Sequence, residues 1–535
     1  MPIRAESSAC VCVFPTTRMP DTRLVGLAAW AAGLRPRNRL ILCALIGALA
    51  GLGQAPWGLW PLTVAGLAML FAIFTAAPTW RRAGFLGWAA GTGYFMLSLN
   101  WIVEPFLVDV ARHGWMAPFA LFGLSAGLAL FWAAGFALAR AAGGGALAWV
   151  AALLLSEAAR TYLFTGFPWA QTGHALIDTP WLHWASWGGS LMLTAITLAA
   201  AAALWRVVCG PRPAALVALA LIAALHGAGA ALTPAAQPTP DAPLVRLIQP
   251  NAAQHLKWHP DHTRTFFERQ IAFTSAPPDG QGAPTPAARP DLIVWPETAI
   301  PVLLERAGPA FDAISAAADG APVVLGLQRT DGLRYFNSLV MLDASGQVAA
   351  LYDKHHLVPF GEYIPFGDFF ARFGITAFSA QAGNGYSSGP GAQVIGLGDL
   401  GLALPLICYE GVFPQDVRAA PARPDMLLLI TNDAWFGTRS GPYQHLAQAR
   451  LRSVEQGLPM IRVANTGVSA MIDAAGRVTA SIPLGQAGWR DAPLPPPLPP
   501  TIYARTGDSP AIGLALVLLA LSFLRNRSPA RSDSD

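Results

Sequence analysis

Long apolar runs dominate the first half of the chain, and one more lies near its C-terminal end. A helix needs about 17–25 apolar residues to span a bilayer, and about eight runs approach that length. These runs cover residues 39–55, 58–77, 84–106, 117–139, 143–163, 187–206, 214–233 and 509–524. A soluble helical core does not need so many lipid-length runs in series. The pattern therefore predicts a membrane α-helical bundle of about eight transmembrane helices.

The pattern changes between residues 243 and 490, where short apolar runs alternate with turns and with segments of helical spacing. Two hairpins are predicted, one over residues 337–352 and one that starts at Met471. The stretch from Tyr443 to Gln456 has helical spacing and ends before Gly457, a suitable C-cap. The runs that predict buried strands are 245–249, 291–295, 322–326, 402–407 and 426–430. Strands interleaved with helices predict an α/β layered domain.

Arginines at the ends of the apolar runs predict how the chain crosses the membrane. If about eight helices alternate in direction, these arginines all fall on one side, which the positive-inside rule makes cytoplasmic. They are Arg35, Arg37, Arg39, Arg81, Arg82, Arg140, Arg206, Arg212, Arg525, Arg527 and Arg531. Both termini are then cytoplasmic, and the polar region lies outside the cytoplasm. The net charge of +4 forms no basic stripe, so no nucleic-acid partner is predicted.

Proline-rich segments bracket the polar region and mark its predicted boundaries. Residues 1–38 are predicted as a cytoplasmic tail, in which translation starts at either Met1 or Met19, and residues 39–233 as the first seven helices. The other predicted parts are a linker over 234–242, the polar domain over 243–490, a Pro-rich linker over 491–508, the last transmembrane helix over 509–524 and a cytoplasmic tail over 525–535.

Composition agrees with a large lipid-facing part. Hydrophobic residues make up 53% of the 535-residue chain and charged residues 12%, against roughly 25% charged residues in soluble domains. The cysteines are Cys10, Cys12, Cys43, Cys209 and Cys408. Because only Cys408 lies in the polar region, that region cannot be a disulfide scaffold.

Three chemically useful side chains directly follow predicted strands of the polar domain. Glu297 follows one strand, Lys354 follows the second strand of the first hairpin, and Cys408 follows another strand just before Gly411. Taken singly, the thiol is more often buried packing, and each charge is more often a surface ion pair. A carboxylate, an ammonium and a thiol at three strand ends of one domain are together the parts that an acyl-transfer site requires.

Longer motifs surround these residues in a fixed order. They are 295–301, 353–362, 407–410 and 431–437 in the polar domain, with 167–171 and 503–507 beside apolar runs. The order Glu, Lys, Cys in these contexts resembles the nitrilase superfamily of carbon–nitrogen hydrolases, and the whole set is similar to the apolipoprotein N-acyltransferase family. The resemblance covers nearly the whole chain from about residue 39 and implies a nitrilase-like αββα sandwich for the polar domain.

The resemblance also implies roles for individual residues. Cys408 is the nucleophile, Glu297 the general base and Lys354 the stabiliser of the oxyanion. The supporting or substrate-binding residues are Glu362, Tyr409, Glu410, Asn337 and Trp258, the last of which shapes the entrance. The implied enzyme is a monomer of the bacterial inner membrane with a periplasmic catalytic domain and no cofactor. Its acyl donor is a phospholipid such as phosphatidylethanolamine, and its acceptor is the diacylglyceryl-modified N-terminal cysteine of an apolipoprotein.

The chemistry of the three residues predicts a two-step reaction. A free thiol is only a few per cent ionised at neutral pH, so a base must take its proton during attack. A carboxylate has a pKa near 4.3 in water, and partial burial is expected to raise the pKa of Glu297. The ammonium of Lys354 opposes that shift, favours the thiolate of Cys408 and stabilises the oxyanion of the intermediate. Ping-pong transfer through a Cys408 thioester is the expected course.

Two other functions stay open at this point. A membrane-tethered amidase or nitrilase passes its acyl group to water instead of an amine. A transporter with an outer binding domain is the third reading, although paired intramembrane acids and matching broken helices are lacking. His355 and His356 do not predict a metal site, because adjacent residues point apart and no other ligands complete a set.

The remaining polar residues have structural interpretations. Arg450, Arg452 and Glu455 are expected on a solvated face of the predicted helix. His445, on the same helix, is expected to be structural, and Glu157–Arg160 either pair or meet lipid headgroups.

Overall fold

The computed structural model describes residue 30 and the ranges 33–209, 212–236, 241–279, 289–365 and 385–527. Cys10, Cys12 and most of both predicted tails lie outside the described residues, as do residues 237–240 of the first predicted linker. The predictions made for those segments stay predictions.

Apolar helices occupy every predicted membrane run. They are α1 (Pro36–Gly51), α2 (Trp60–Thr75), α3 (Trp80–Ser98), α4 (Ala117–Ala141), α5 (Ala146–Tyr162), α6 (Ala185–Cys209), α7 (Arg212–Ala231) and, at the end of the chain, α11 (Ser509–Arg527). Within the described ranges, three helical stretches are long and apolar enough to cross a membrane: Val110–Ala141, Pro180–Val208 and Ser509–Asn526. The total of about eight membrane crossings stays a prediction.

Local sequence explains where several of these helices begin. Prolines lie in the first turn of α1, α2 and α4, where a missing backbone N–H leaves no helical hydrogen bond unmade. The side chain of Thr79 caps α3 by accepting from the backbone N–H of Arg82 at 3.3 Å. Inside α5, Arg160 donates to Glu157, so these two charges pair with each other.

The described residues of the polar domain form two six-stranded sheets. The first has the order β12-β1-β2-β3-β4-β5 and the second β11-β10-β9-β8-β7-β6. Their strands are β1 (Leu244–Gln249), β2 (Leu292–Val294), β3 (Val323–Asp331), β4 (Arg334–Leu342), β5 (Val348–Asp353), β6 (Ile395–Gly396), β7 (Leu402–Ile407), β8 (Met426–Thr431), β9 (Met460–Ala464), β10 (Ser469–Ile472), β11 (Val478–Ile482) and β12 (Gly488–Pro493).

Apolar side chains from both sheets form the middle of the domain. Val294 and Leu339 of the first sheet share one buried cluster with Leu428 and Val463 of the second. Helices cover the two outer faces: α8 (Pro260–Thr274) and α9 (Gly308–Ala318) lie on the first sheet, and α10 (Gly441–Gln456) on the second. The predicted αββα sandwich is therefore confirmed, with the parallel pairs β1–β2, β2–β3, β7–β8 and β8–β9 near the centre of the sheets.

The prediction of a solvated charged face on α10 is wrong. Arg452 is 1% exposed and Glu455 is fully buried, and the two form an ion pair of 2.9 Å. Arg450 is partly buried and pairs with Asp178, a residue that precedes α6. The physical reason is that α10 packs on both sides, against the second sheet on one side and against α6 on the other. The charged face that the sequence shows on this helix is therefore buried in the fold.

Candidate active site

Glu297 lies just beyond the C-terminal end of β2, and both oxygens of its carboxylate are held by hydrogen bonds. One oxygen accepts from the side-chain amide of Asn337 at 2.6 Å, and the other accepts from the backbone N–H of Asn432 at 2.7 Å. The next residue, Thr298, has a positive φ of 46°, so the chain turns sharply after the carboxylate. With 6% of its surface exposed, Glu297 is held in a fixed, nearly dry place.

Lys354 follows β5 and points into the same cluster. Its Nζ lies 2.9 Å from the carboxylate of Glu362 and 3.9 Å from that of Glu297. The side-chain amide of Asn337 also donates to Glu362, at 3.1 Å, so it joins both carboxylates. Four of the predicted site residues therefore form one buried network.

Cys408 follows β7 and begins a short turn of 3₁₀ helix, residues 408–412. Its φ is +51°, a left-handed conformation that costs a non-glycine residue about 1–3 kcal/mol unless its surroundings hold it. This conformation turns the chain out of the sheet directly at the thiol. Ile407 pairs with Ile430 in the sheet, two residues before Asn432, whose backbone N–H binds Glu297. On the other side, Glu410 accepts from the backbone N–H of His355, next to Lys354. The three predicted catalytic residues therefore lie in one site, where Glu297 and Lys354 also act electrostatically on the thiol.

Burial and charge set the protonation of these groups in opposite directions. Burial raises the pKa of the Glu297 carboxyl, and Lys354 opposes this only in part. Burial lowers the pKa of Lys354, but the carboxylates of Glu362 and Glu297 outweigh it and raise the net value. Burial and the charge of Glu297 raise the pKa of the Cys408 thiol, while Lys354 lowers it. Cys408 therefore carries a neutral thiol beside the ammonium of Lys354, and the carboxylate of Glu297 has increased basicity.

Glu410 supports the backbone around Cys408. One of its oxygens accepts from the backbone N–H of Ile407 at 2.7 Å, and the other accepts from the N–H of His355 at 2.7 Å and from Tyr352 at 2.8 Å. It thus ties the turn of Cys408 to the strand end that carries Lys354. Tyr409 points the other way, packs against Phe413, and belongs to the apolar cluster of the helical bundle.

Trp258 lies in the segment between β1 and α8, half-buried, with its ring 5.1 Å from Nζ of Lys257. Lys257 was not predicted as a site residue. Its buried ammonium donates to the backbone carbonyl of Glu297 at 3.2 Å and to the hydroxyl of Thr298 at 2.8 Å. Burial lowers the pKa of Lys257 to about 8. Trp258 therefore lies beside the lysine that holds Glu297 and Thr298. Its role at an entrance stays a prediction.

His355 and His356 bond to carboxylates of the protein. Nδ1 of His355 lies 2.8 Å from Glu410, and Nδ1 of His356 lies 2.7 Å from Asp416. Burial lowers the pKa of His355, but its bonds to Asp416 and Glu410 outweigh this and raise the value to about 10. Within the part of the chain that the structure describes, no group of three or more potential metal ligands is found.

Further buried polar residues lie around Cys408, and no local sequence pattern predicts that they meet there. Asp433 accepts from Arg462 at 2.6 Å and lies 2.9 Å from Nδ1 of His445, whose Nε2 is 3.3 Å from the carbonyl oxygen of Cys408. Because Asn432 and Asp433 directly follow a predicted strand, the sequence allows either a pocket wall or a capped turn at these residues. The structure shows that the backbone of Asn432 contacts Glu297 directly.

Comparison with known proteins follows the two structural parts. Residues 46–203 match the family model described as the apolipoprotein N-acyltransferase N-terminal domain, and residues 279–496 match that of the carbon-nitrogen hydrolases. Among solved structures, an amidase from Nesterenkonia sp. is 20% identical with a TM-score of 0.35, covering 51% of this chain and 96% of the amidase.

Curated relatives match across nearly the full length. The apolipoprotein N-acyltransferase of Rhodopseudomonas palustris is 36% identical over 526 residues, which cover 92% of this chain and 96% of that protein. The enzyme of the same name from Sinorhizobium fredii is 37% identical over 487 residues, covering 86% of this chain and 91% of that protein. With such relatives, the chain belongs to the apolipoprotein N-acyltransferase family, acyltransferases of lipoprotein maturation whose catalytic domain has the carbon–nitrogen hydrolase fold.

Proposed function

We propose that this protein N-acylates the N-terminal S-diacylglyceryl-cysteine of apolipoproteins in a ping-pong reaction through a Cys408 thioester. The observation that carries the proposal is the buried cluster of Glu297, Lys354 and Cys408 at the ends of β2, β5 and β7. A phospholipid, with phosphatidylethanolamine as the first choice, is the proposed acyl donor.

In the first half-reaction, Glu297 takes the thiol proton as the sulfur of Cys408 attacks the ester carbonyl of the phospholipid. Lys354 stabilises the oxyanion of the tetrahedral intermediate, a contribution worth roughly 2.7–4 kcal/mol for a single donor. The ester C–O bond then breaks, and the proton on Glu297 passes to the leaving oxygen. The products are a lysophospholipid and an acyl thioester on Cys408.

In the second half-reaction, the α-amine of the lipoprotein attacks the thioester. An α-amine has a pKa of about 7.7–8.0, so an appreciable fraction is neutral and nucleophilic at pH 7. Glu297 accepts the amine proton, the C–S bond breaks, and the thiolate of Cys408 recovers a proton from Glu297. An amide is more stable than a thioester, so the transfer is downhill and requires no nucleotide.

The arrangement of the chain fits substrates that are held in a membrane. Tyr409, next to the nucleophile, packs into the same apolar cluster as Trp101 and Trp169 of the helical part. The nucleophile therefore lies at the junction of the two parts, where a lipid ester and a lipid-anchored amine both arrive. We propose that the bundle crosses the inner membrane about eight times and that the catalytic domain faces the periplasm.

Intact-mass measurement of the purified protein tests the proposal. Exposure to phosphatidylethanolamine in detergent should add one acyl mass that hydroxylamine removes, and a diacylglyceryl-cysteine peptide should then take up that acyl group as an amide. The Cys408→Ala variant should acquire no such mass. An equal adduct on Cys408→Ala would contradict the assignment of the nucleophile. Release of free fatty acid in place of the acylated peptide would favour a membrane-tethered hydrolase.

A further inference from the structure

The left-handed turn at Cys408 needs support on both of its sides. On the N-terminal side, Glu410 accepts from the backbone N–H of Ile407 at 2.7 Å. On the C-terminal side, the carbonyl oxygen of Cys408 lies 3.3 Å from Nε2 of His445 on α10. A strained backbone of this kind persists only where its surroundings over-determine it. These two hydrogen bonds hold the backbone immediately before and after the Cα atom of Cys408, whose φ is +51°.

His445 is itself held by a chain of buried charges. His445, Asp433 and Arg462 are all fully buried. Nδ1 of His445 lies 2.9 Å from Asp433 and 3.1 Å from Arg462, and Arg462 also donates to Asp433 at 2.6 Å. A neutral ring can accept from Arg462 at Nδ1, and a protonated ring can donate to Asp433. In both cases Nε2 carries a hydrogen and donates to Cys408.

The neighbouring residue anchors the same helix in the bundle. Oε1 of Gln444 accepts from the indole N–H groups of Trp101 at 3.2 Å and Trp169 at 2.7 Å. Its amide N–H₂ donates to the backbone carbonyls of Ala55 at 3.1 Å and Ser98 at 2.9 Å. All four hydrogen-bonding positions of this side chain are used, by three separate segments of the helical part. Gln444 thus fixes where His445 stands.

We propose that His445 is a positioning residue for acyl transfer, which holds the turn of Cys408 through its carbonyl while Gln444 fixes the helix to the bundle. This inference rests on the proposed role of Cys408 as the nucleophile. It also explains how the helical part is connected to Cys408. Gln444 binds the helical part, His445 binds the carbonyl of Cys408, and the two residues are adjacent on α10.

A matched pair of substitutions separates this role from simple packing. His445→Gln places an amide N–H near the position of Nε2 and keeps the bond to Cys408, whereas His445→Asn reaches Asp433 but is too short for Cys408. We expect His445→Asn to lower the single-turnover acylation rate about 100-fold, the scale of a misplaced reacting group. His445→Gln should keep most of the rate, and KM for phosphatidylethanolamine should not change in either variant.

Gln448→Leu is the control, because Gln448 is equally buried on the same helix and bonds to the carbonyl of Gln444. It should lower Tm without lowering acylation per folded molecule. Gln444→Met is an independent test in which His445 is intact, and we expect about a tenfold loss of acylation rate. Equal rates in folded His445→Asn and His445→Gln would overturn the proposal. If neither of these folds, a wild-type rate in Gln444→Met would overturn it.

The same experiment distinguishes this inference from the proposed function. A wild-type protein that forms no hydroxylamine-labile adduct on Cys408 would defeat both. A wild-type protein that forms the adduct, with His445→Asn forming it equally fast, would defeat only the role of His445.

Discussion

At the scale of single residues, burial gives the site its chemistry and also creates its main difficulty. Removing Glu297 from water raises the pKa of its carboxyl and makes it a better base, but the same burial keeps the Cys408 thiol neutral. Lys354 offsets this effect of burial when negative charge develops on the sulfur or on the substrate oxygen, because an ammonium stabilises both the thiolate and the oxyanion. In the proposed reaction, proton transfer from Cys408 to Glu297 therefore accompanies attack on the donor ester.

Glu297→Gln tests this coupling. The amide keeps the shape of the side chain but cannot take the thiol proton, so we expect the acylation rate to fall about 10²–10⁴-fold. Rapid-quench intact-mass measurement of the acyl adduct gives this rate directly. The thermal unfolding curve serves as the control for folding, and acylation at the wild-type rate would show that another group is the base.

The pH dependence of acylation tests the carboxylate pair. The base works only when it is deprotonated, so activity should fall as pH drops through the pKa of Glu297, which burial raises above the ordinary value of 4.5. The charge of Glu362 is one of the causes that raise this pKa. Glu362→Gln should therefore move the acid limb of the acylation profile to lower pH. A limb that stays in place or moves to higher pH would contradict this electrostatic assignment.

Sequence predicts the three central residues because each follows a strand, and strand ends place side chains at a common edge. Asn337 and Glu362 were predicted only through the family resemblance, and the structure brings them into the same network. Lys257 and His445 were not identified as site residues. Their partners lie far along the chain, as with Lys257 and the carbonyl of Glu297, and no local pattern reports such contacts.

At the scale of elements, α10 shows why a polar helix face is ambiguous in sequence. Charged residues at helical spacing normally indicate contact with solvent, yet Arg452 and Glu455 are buried and pair with each other. Glu455 also accepts from the backbone N–H of Ser190 at 2.9 Å, so the pair helps to join α10 to the bundle. The strands were easier to predict, because a buried sheet requires continuous apolar runs such as β7 and β8.

Arg452→Met should be destabilising. Burial already raises the pKa of Glu455 to about 8 against the opposing charge of Arg452. Without Arg452 the Glu455 carboxyl stays buried and loses a hydrogen-bond partner, a change that costs about 1–3 kcal/mol. Replacing both partners, as in Arg452→Met with Glu455→Leu, should recover most of that loss, since a well-packed apolar pair can substitute for a buried ion pair. Thermal unfolding in detergent measures both effects. Arg264→Ala, which breaks an exposed pair with Glu268 on α8, is the control and should leave Tm unchanged.

At the scale of the whole molecule, the helical part contacts the sandwich at the residues that follow β7 and at α10. The residues after β7 enter the apolar cluster of the bundle, while α10 packs on the second sheet and on α6. The proposed reaction, with a donor and an acceptor that are both anchored in lipid, requires Cys408 at such a junction. Sequence composition predicts the two parts but not this contact, which depends on how the folded parts meet.

The proposed orientation of the molecule in the membrane rests on the positions of the arginines and is open to direct measurement. Arg81, at the start of α3, is predicted on the cytoplasmic side by the positive-inside rule, whereas Arg264 lies on the exposed face of α8 in the catalytic domain. Single cysteines introduced as Arg81→Cys or Arg264→Cys, in a background with the native cysteines replaced by serine, should respond differently to a membrane-impermeant maleimide. Intact spheroplasts should label Arg264→Cys fully, and Arg81→Cys should label only after permeabilisation. The reverse pattern would place the catalytic domain in the cytoplasm, on the wrong side of the membrane for its proposed lipoprotein acceptor.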